Sequence, residues 1–222
     1  MFLWADLVDL VRRPFTSLRL IDDRRQVRDG LIALALSVTL PALVAELAAL
    51  GPFRPPANLG ALPSLTEQGA DIYFRWVYQH RFELPLYGVL ISAVLWVVAA
   101  GLIHLIARAL GGHGTFPGYL KLAGFAALVG LVSLPLSLLD AILKLLGNAR
   151  LELSIGQLSG LAGLAIFLWQ NALLVIAARI HYGMSTERAV AAVIGPVSAV
   201  AVLVLALLIL AVILTIVAQQ AP

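Results

Sequence analysis

Apolar residues are gathered into five long runs along this chain, with polar residues confined between them. The runs extend from about Gly30 to Leu50, Pro85 to Leu110, Leu120 to Leu146, Ile155 to Ile180 and Ala189 to Ala218. About 20 apolar residues in a helix cross the hydrocarbon core of a bilayer, and each run reaches that length. Backbone groups in lipid must be paired within the segment, so each run is expected to be helical. The pattern predicts an all-α integral membrane bundle of five transmembrane helices over residues 30–218, with an N-terminal segment 1–29 and a short tail 219–222.

Two stretches outside the runs also carry helical signals. From Leu3 to Leu20 the apolar residues Leu3, Trp4, Leu7, Val8, Leu10, Val11, Phe15 and Leu18 recur at helical spacing, opposite Asp6, Asp9, Arg12, Arg13 and Arg19. This predicts an amphipathic helix, broken at Pro14. It either lies in the membrane interface or packs on the bundle as a lid. The loop 51–84 is extended at first by Pro52, Pro55, Pro56 and Pro63. Ser64 to Glu67 then has the spacing of a capping box, and the aromatics Tyr73, Phe74, Trp76, Tyr78 and Phe82 suggest an interfacial belt around a short helix.

The second and third runs are joined by Gly111-Gly112-His113-Gly114-Thr115-Phe116-Pro117-Gly118-Tyr119. Glycine permits a tight turn and Pro117 cannot continue a helix, so the two runs form a transmembrane hairpin. The glycines also invite comparison with a phosphate-binding loop. The Gly-Lys-Ser/Thr ending and a preceding strand are missing, so that match is weak.

Composition agrees with a membrane chain. Hydrophobic residues make up 61% of 222 and charged residues 12%, with a mean hydropathy of +0.98. The charge distribution adds orientation. Arg12, Arg13, Arg19, Arg24, Arg25, Arg28, Arg108, Lys121, Arg179 and Arg188 fall on one side of the predicted spans. Arg54, Arg75, Arg81, Lys144 and Arg150 fall on the other. The positive-inside rule then places the N-terminus in the cytoplasm of a plasma or inner membrane and, with five spans, the C-terminus outside. Cysteine is absent, which excludes disulfides, thiolate metal ligands and cysteine nucleophiles. The Arg- and Asp-rich start is the wrong order for a cleavable signal peptide, and Phe2 rules out myristoylation.

Ionisable groups at the spans are candidates for function. Glu46, Asp140 and Lys144 lie near the external ends of the first and third spans. They are read either as an ion-carrying cluster or as a neutralised charge group near the headgroups, Asp140 and Lys144 being one turn apart. Arg12, Arg13, Arg24, Arg25, Arg108 and Arg179 are candidate contacts for lipid headgroups or a partner. Gly156, Gly160 and Gly163, with Ser159, give small-x-x-x-small spacing on the fourth span and predict close helix packing there. Gln170 and Asn171 are expected to hydrogen-bond across helices. The four histidines do not show metal-ligand spacing, and no nucleophile-base or paired-carboxylate pattern occurs, so no cofactor, metal, nucleic-acid partner or enzymatic activity is expected.

Pro14-Phe15, the stretch His104 to Phe116, and the stretch from Trp169 through Ala177-Ala178-Arg179-Ile180-His181-Tyr182-Gly183-Met184 to Ala189 together resemble the Yip domain family, in its prokaryotic branch. That family of polytopic membrane proteins is named for interaction with Ypt/Rab GTPases. The resemblance implies a five-helix bundle with a cytoplasmic N-terminus and, in eukaryotic relatives, roles in vesicle trafficking and membrane shaping through partners. The N-terminal region of about 30 residues departs from the pattern, being too short for a sizeable recruitment domain. The expectation is a membrane scaffold or accessory subunit that contacts the lipid bilayer and other integral membrane subunits, or itself. The alternative is a small transporter or channel component using Glu46, Asp140 and Lys144.

Overall fold

A computed structural model describes residues 2–51, 75–147 and 149–196, and all elements among them are helical. Two short helices open the chain, α1 (Phe2–Arg12) and α2 (Pro14–Arg24). Pro14 begins α2 because a helix tolerates proline in its first turn but not its interior. α3 (Val27–Ala49) follows after a two-residue break, its start held by the Asp29 carboxylate, which accepts from the Gln26 N–H at 3.0 Å. α4 (Glu83–Ala109) returns through the bundle.

The next span is in two pieces. α5 (Phe116–Leu128) passes through a 3₁₀ turn, Val129–Ser133, into α6 (Leu134–Leu146). Pro135 lies in the first turn of α6, so the irregularity falls where the proline lacks an N–H to give to the preceding turn. Gly147, with φ of 69°, ends α6 in the left-handed conformation that glycine adopts at low cost. α7 (Ala149–Tyr182) is the longest helix, and residues 186–196 begin a further helix, α8.

Four stretches among the described residues are long and apolar enough to cross a membrane: Val27–Ala49, Glu83–Ala109, Phe116–Leu146 and Ser154–Tyr182. The fifth expected span, Ala189 to Ala218, is helical to residue 196, and the rest of it lies outside the described residues. The capping box at Ser64 and the aromatics Tyr73 and Phe74 lie outside them too. Trp76, Tyr78 and Phe82 are exposed, and the Arg81 guanidinium lies 4.1 Å from the Tyr78 ring centre and 4.8 Å from that of Phe82.

The core gathers at one end of the bundle, called here the near end, where α1 and α2 lie. Its axis is α5, in which Tyr119 and every residue from Lys121 to Leu128 are buried. Ala123, Gly124, Ala126 and Ala127 make that possible, because small side chains let neighbouring backbones close in from all sides. α3 runs parallel to this span and touches it most closely at Gly30, where a methyl would sit 2.5 Å from the Lys121 Cα, while Gly124 lies against the Gly30 carbonyl. α7 contributes Leu173, Leu174, Ala177, Ala178 and Tyr182.

The N-terminal pair joins this core. Leu7, Leu10, Leu18 and Ile21 are buried, α2 packs on α7 and α5, and α1 reaches the 3₁₀ turn halfway along the third span. The opposite side, Trp4, Val8, Val11, Phe15 and Leu20, remains exposed.

Candidate functional site

Lys121 is the sixth residue of α5, inside an apolar helix and not at its edge, and its side chain is 7% exposed. A lysine so placed needs its three donors satisfied and its charge balanced. Its Nζ lies 2.5 Å from the Asp22 carbonyl, 3.2 Å from Asp22 Oδ1 and 3.3 Å from the Arg25 carbonyl. The end of α2 therefore wraps over the lysine. Lys121, counted in the sequence among the charges on one side of the spans, has its head inside a protein cage.

The other Asp22 oxygen faces His181, one residue from the end of α7, with Nδ1 to Oδ2 at 3.1 Å. Nδ1 carries a proton in this pairing, since a carboxylate only accepts. His181 Nε2 lies 3.1 Å from the Thr115 nitrogen and 2.9 Å from the Thr115 carbonyl oxygen. It accepts from the amide when the ring is neutral and donates to the carbonyl when the ring is charged. The ring thus has a partner in either protonation state. Burial pushes the Asp22 carboxyl up, but the hydrogen bonds and charges of His181 and Lys121 outweigh that and hold it below the ordinary carboxylate value.

The glycines of the link have a specific steric purpose. A methyl on Gly118 would overlap His181 Cε1, and one on Gly114 would lie 2.5 Å from Cδ2. Gly114 and Gly118 therefore form a slot for the imidazole. The weak likeness to a phosphate loop has this other cause: the space next to the glycines is filled by a ring of the protein itself.

Aromatic residues extend the cluster inward. His104 Nδ1 and the Tyr182 hydroxyl are 2.8 Å apart, and the Tyr182 ring also lies against those of Tyr119 and His181. Arg188 donates to the Leu110 carbonyl at 3.3 Å and so caps the end of α4, while Arg108 donates to the Gly112 carbonyl at 3.1 Å and ties the link back to that helix. The His113 amide donates to the Tyr182 carbonyl at 3.2 Å, which fastens the link to the end of α7.

The arginines expected at headgroups divide into two groups. Arg25, at the end of α2, pairs with Asp6 of α1 at 2.8 Å, and Arg108 bonds the Gly112 carbonyl as just described. Arg179 lies 5.7 Å from the Phe15 ring centre. Arg12, Arg13 and Arg24 are exposed.

At the far end, Lys144 Nζ lies 2.7 Å from Asp140 Oδ2, one turn apart on α6. Among the described residues Glu46 forms no ion pair with Lys144, so of the three expected residues Asp140 and Lys144 are the two that pair. Gly156, Gly160 and Gly163 are exposed, and no described residue comes within 4 Å of where their methyls would be. Within the described residues the close glycine contact expected of them is made instead by Gly30 and Gly124, because small spacing permits an approach but a second helix must be there to make it. Gln170 does bridge helices, donating to the Ala127 carbonyl at 3.1 Å, whereas Asn171 turns back to Phe167 on its own helix at 2.8 Å. Among the described residues no three His, Asp or Glu side chains converge as a metal site.

Apolar spans of this length, with charges gathered at their ends or neutralised in cages, define a polytopic α-helical membrane protein. The model of the Yip1 domain family matches residues 8–218, nearly the whole length, and the chain belongs to that family. No curated protein and no solved structure matches it.

Proposed function

We propose that this Yip1 domain protein is a non-enzymatic scaffold or accessory subunit of a larger membrane assembly, of the prokaryotic branch. In this reading it resides in the plasma or inner membrane with its N-terminus in the cytoplasm. The observation that carries it is the use made of the buried charges. Every hydrogen-bonding atom of Lys121 and His181 is directed at the protein, tying α2, α5 and the end of α7 to one another. Such groups fix a shape; they have no unused lone pair or proton to offer a substrate or a passing ion.

Two further features support partner and lipid contact. The exposed glycine face of α7, with Leu161, Leu164 and Phe167 beside it, offers a second helix a close approach. Arg12, Arg13 and Arg24, beside the exposed Trp4, Val8 and Phe15, give the N-terminal helices both a cationic and an apolar side, as lipid headgroup contact requires.

The test is purification from the native membrane in mild detergent, with identification of what accompanies the chain. A stoichiometric membrane partner, or a homo-oligomer, released by Gly160→Leu is the expected result. A lone monomer that moves ions or solute across vesicles, with flux abolished by Asp140→Asn, would instead establish the transporter reading.

A further inference from the structure

We propose that α1 is a half-span that dips into the near leaflet beside the bundle and docks anionic phospholipid there. Acyl chains lie against its exposed apolar stripe and phosphates against the arginines at its end. The inference rests on the lipid contact of the N-terminal helices given under the proposed function, and adds to it a depth and a headgroup charge.

Depth follows from what α1 touches. α3 and α5 face each other at Gly30 and Lys121. Beyond these residues α3 has no charge before Glu46, nor the third span before Asp140, so the hydrocarbon boundary falls at this level. From Lys121 to Val129, where the 3₁₀ turn starts, the span descends about 12 Å. Half of a hydrocarbon core is about 15 Å. α1 reaches that turn, and Trp4 lines a cavity with Leu40, Leu47 and Leu134, so the first turn of α1 lies close to the middle of the bilayer. The helix has 11 residues and is about 16 Å long, one leaflet deep, which brings Arg12 back to the headgroups.

The two sides of α1 differ as an embedded helix requires. Leu7 and Leu10 are buried against the bundle, while Trp4, Val8 and Val11, each one turn from the next, are exposed over the same depth. Asp6, the deeper of the two acids of α1, is neutralised by Arg25 at 2.8 Å, as a carboxylate among acyl chains must be. Asp9 is one turn from Arg12 and Arg13, within reach of the headgroup layer. Charge selects the headgroup. α1 and α2 expose Arg12, Arg13, Arg19 and Arg24 against Asp9 and Asp23. A surplus of cations at the leaflet boundary attracts lipids of net negative charge over zwitterionic ones, whose own charges cancel.

Fluorescence of the intact protein in phosphatidylcholine vesicles tests both parts, the contribution of Trp4 being the difference between the unaltered protein and Trp4→Phe. Two brominated phosphatidylcholines carry their bromines either at the carbonyl end of the chains or close to the terminal methyl. Stronger quenching of Trp4 by the methyl-end probe is expected. Equal or stronger quenching by the carbonyl-end probe would lay α1 flat in the interface, overturning the half-span while headgroup contact stands. Absence of quenching by either would mean that protein covers the stripe, and would overturn the lipid contact as well. The headgroup is read with methyl-end brominated phosphatidylglycerol or phosphatidylcholine as a small fraction of the same vesicles. Phosphatidylglycerol should quench Trp4 well beyond its bulk fraction and phosphatidylcholine in proportion to it, and Arg12→Gln/Arg13→Gln should bring the two together. Equal quenching by both lipids in the unaltered protein, or an excess that survives the double change, would overturn the choice of an anionic lipid.

Discussion

Two aspartate–lysine pairs sit at opposite ends of the third span, and the shorter one is the weaker. Asp140 and Lys144 are 2.7 Å apart, but the lysine side chain is 41% exposed. Asp22 and Lys121 are 3.2 Å apart, with the lysine 7% exposed, 99 residues separating them in sequence. Breaking an exposed pair leaves two groups that surrounding polar groups can solvate, whereas breaking a buried one strands a charge where nothing replaces its partner. Burial therefore outranks distance, and the near pair alone fixes tertiary structure. The far pair joins two turns of one helix.

The sharpest way to break this comparison is Asp22→Asn. It leaves Lys121 charged and caged, and a loss of about 3–5 kcal/mol is expected in denaturant unfolding from detergent micelles. Asp22→Asn with Lys121→Met should recover much of that loss. If the double variant is no better than the single, the charge is not what the cage neutralises.

The same carboxyl predicts a dependence on pH. Its value in the folded protein is lowered, so its stabilisation is complete above the ordinary value of 3.8 and is lost as pH falls through the lowered one. Unfolding followed across that acid window should show a decline that Asp22→Asn flattens. An unchanged slope in the variant would remove Asp22 as its source.

Gly118→Ala comes next, at about 1–3 kcal/mol, because its methyl meets the His181 ring. Combined with His181→Ala, which empties the slot, it should cost less than the sum of the two singles. Strict additivity would mean that the glycine serves its own backbone and not the ring.

The smallest effect belongs to the far pair. Asp140→Asn or Lys144→Gln should cost below about 1 kcal/mol, and the double change less than the worse single. A loss as large as that of Asp22→Asn would erase the distinction drawn between the two ends.

The first four apolar runs were legible because each is local: length and composition decide a span without knowledge of its neighbours. The break at Pro14 and the hairpin at Gly111 to Gly118 were legible for the same reason. The near-end cluster was not, since Asp22 and His181 are 159 residues apart and no periodicity links them. One signal did point to it. Lys121 follows Phe116 by five residues and so lies within the helix, where a lysine head needs a carboxylate or carbonyls within reach. Gly156, Gly160 and Gly163 meet no described residue, so their spacing describes only one side of a contact, while Gly30 and Gly124, lone glycines on separate helices, form no motif in either sequence.

The lock on the N-terminal helices also imposes an order on biosynthesis. Asp22 leaves the ribosome early, but Lys121 is made 99 residues later and His181 159 residues later. At about 5–20 residues per second, the second interval lasts roughly 8–30 s. For that time α2 has no complete seat, although α3 is already available for insertion. The seat of α2 is thus complete only when the end of the fourth span, with His181, has been made.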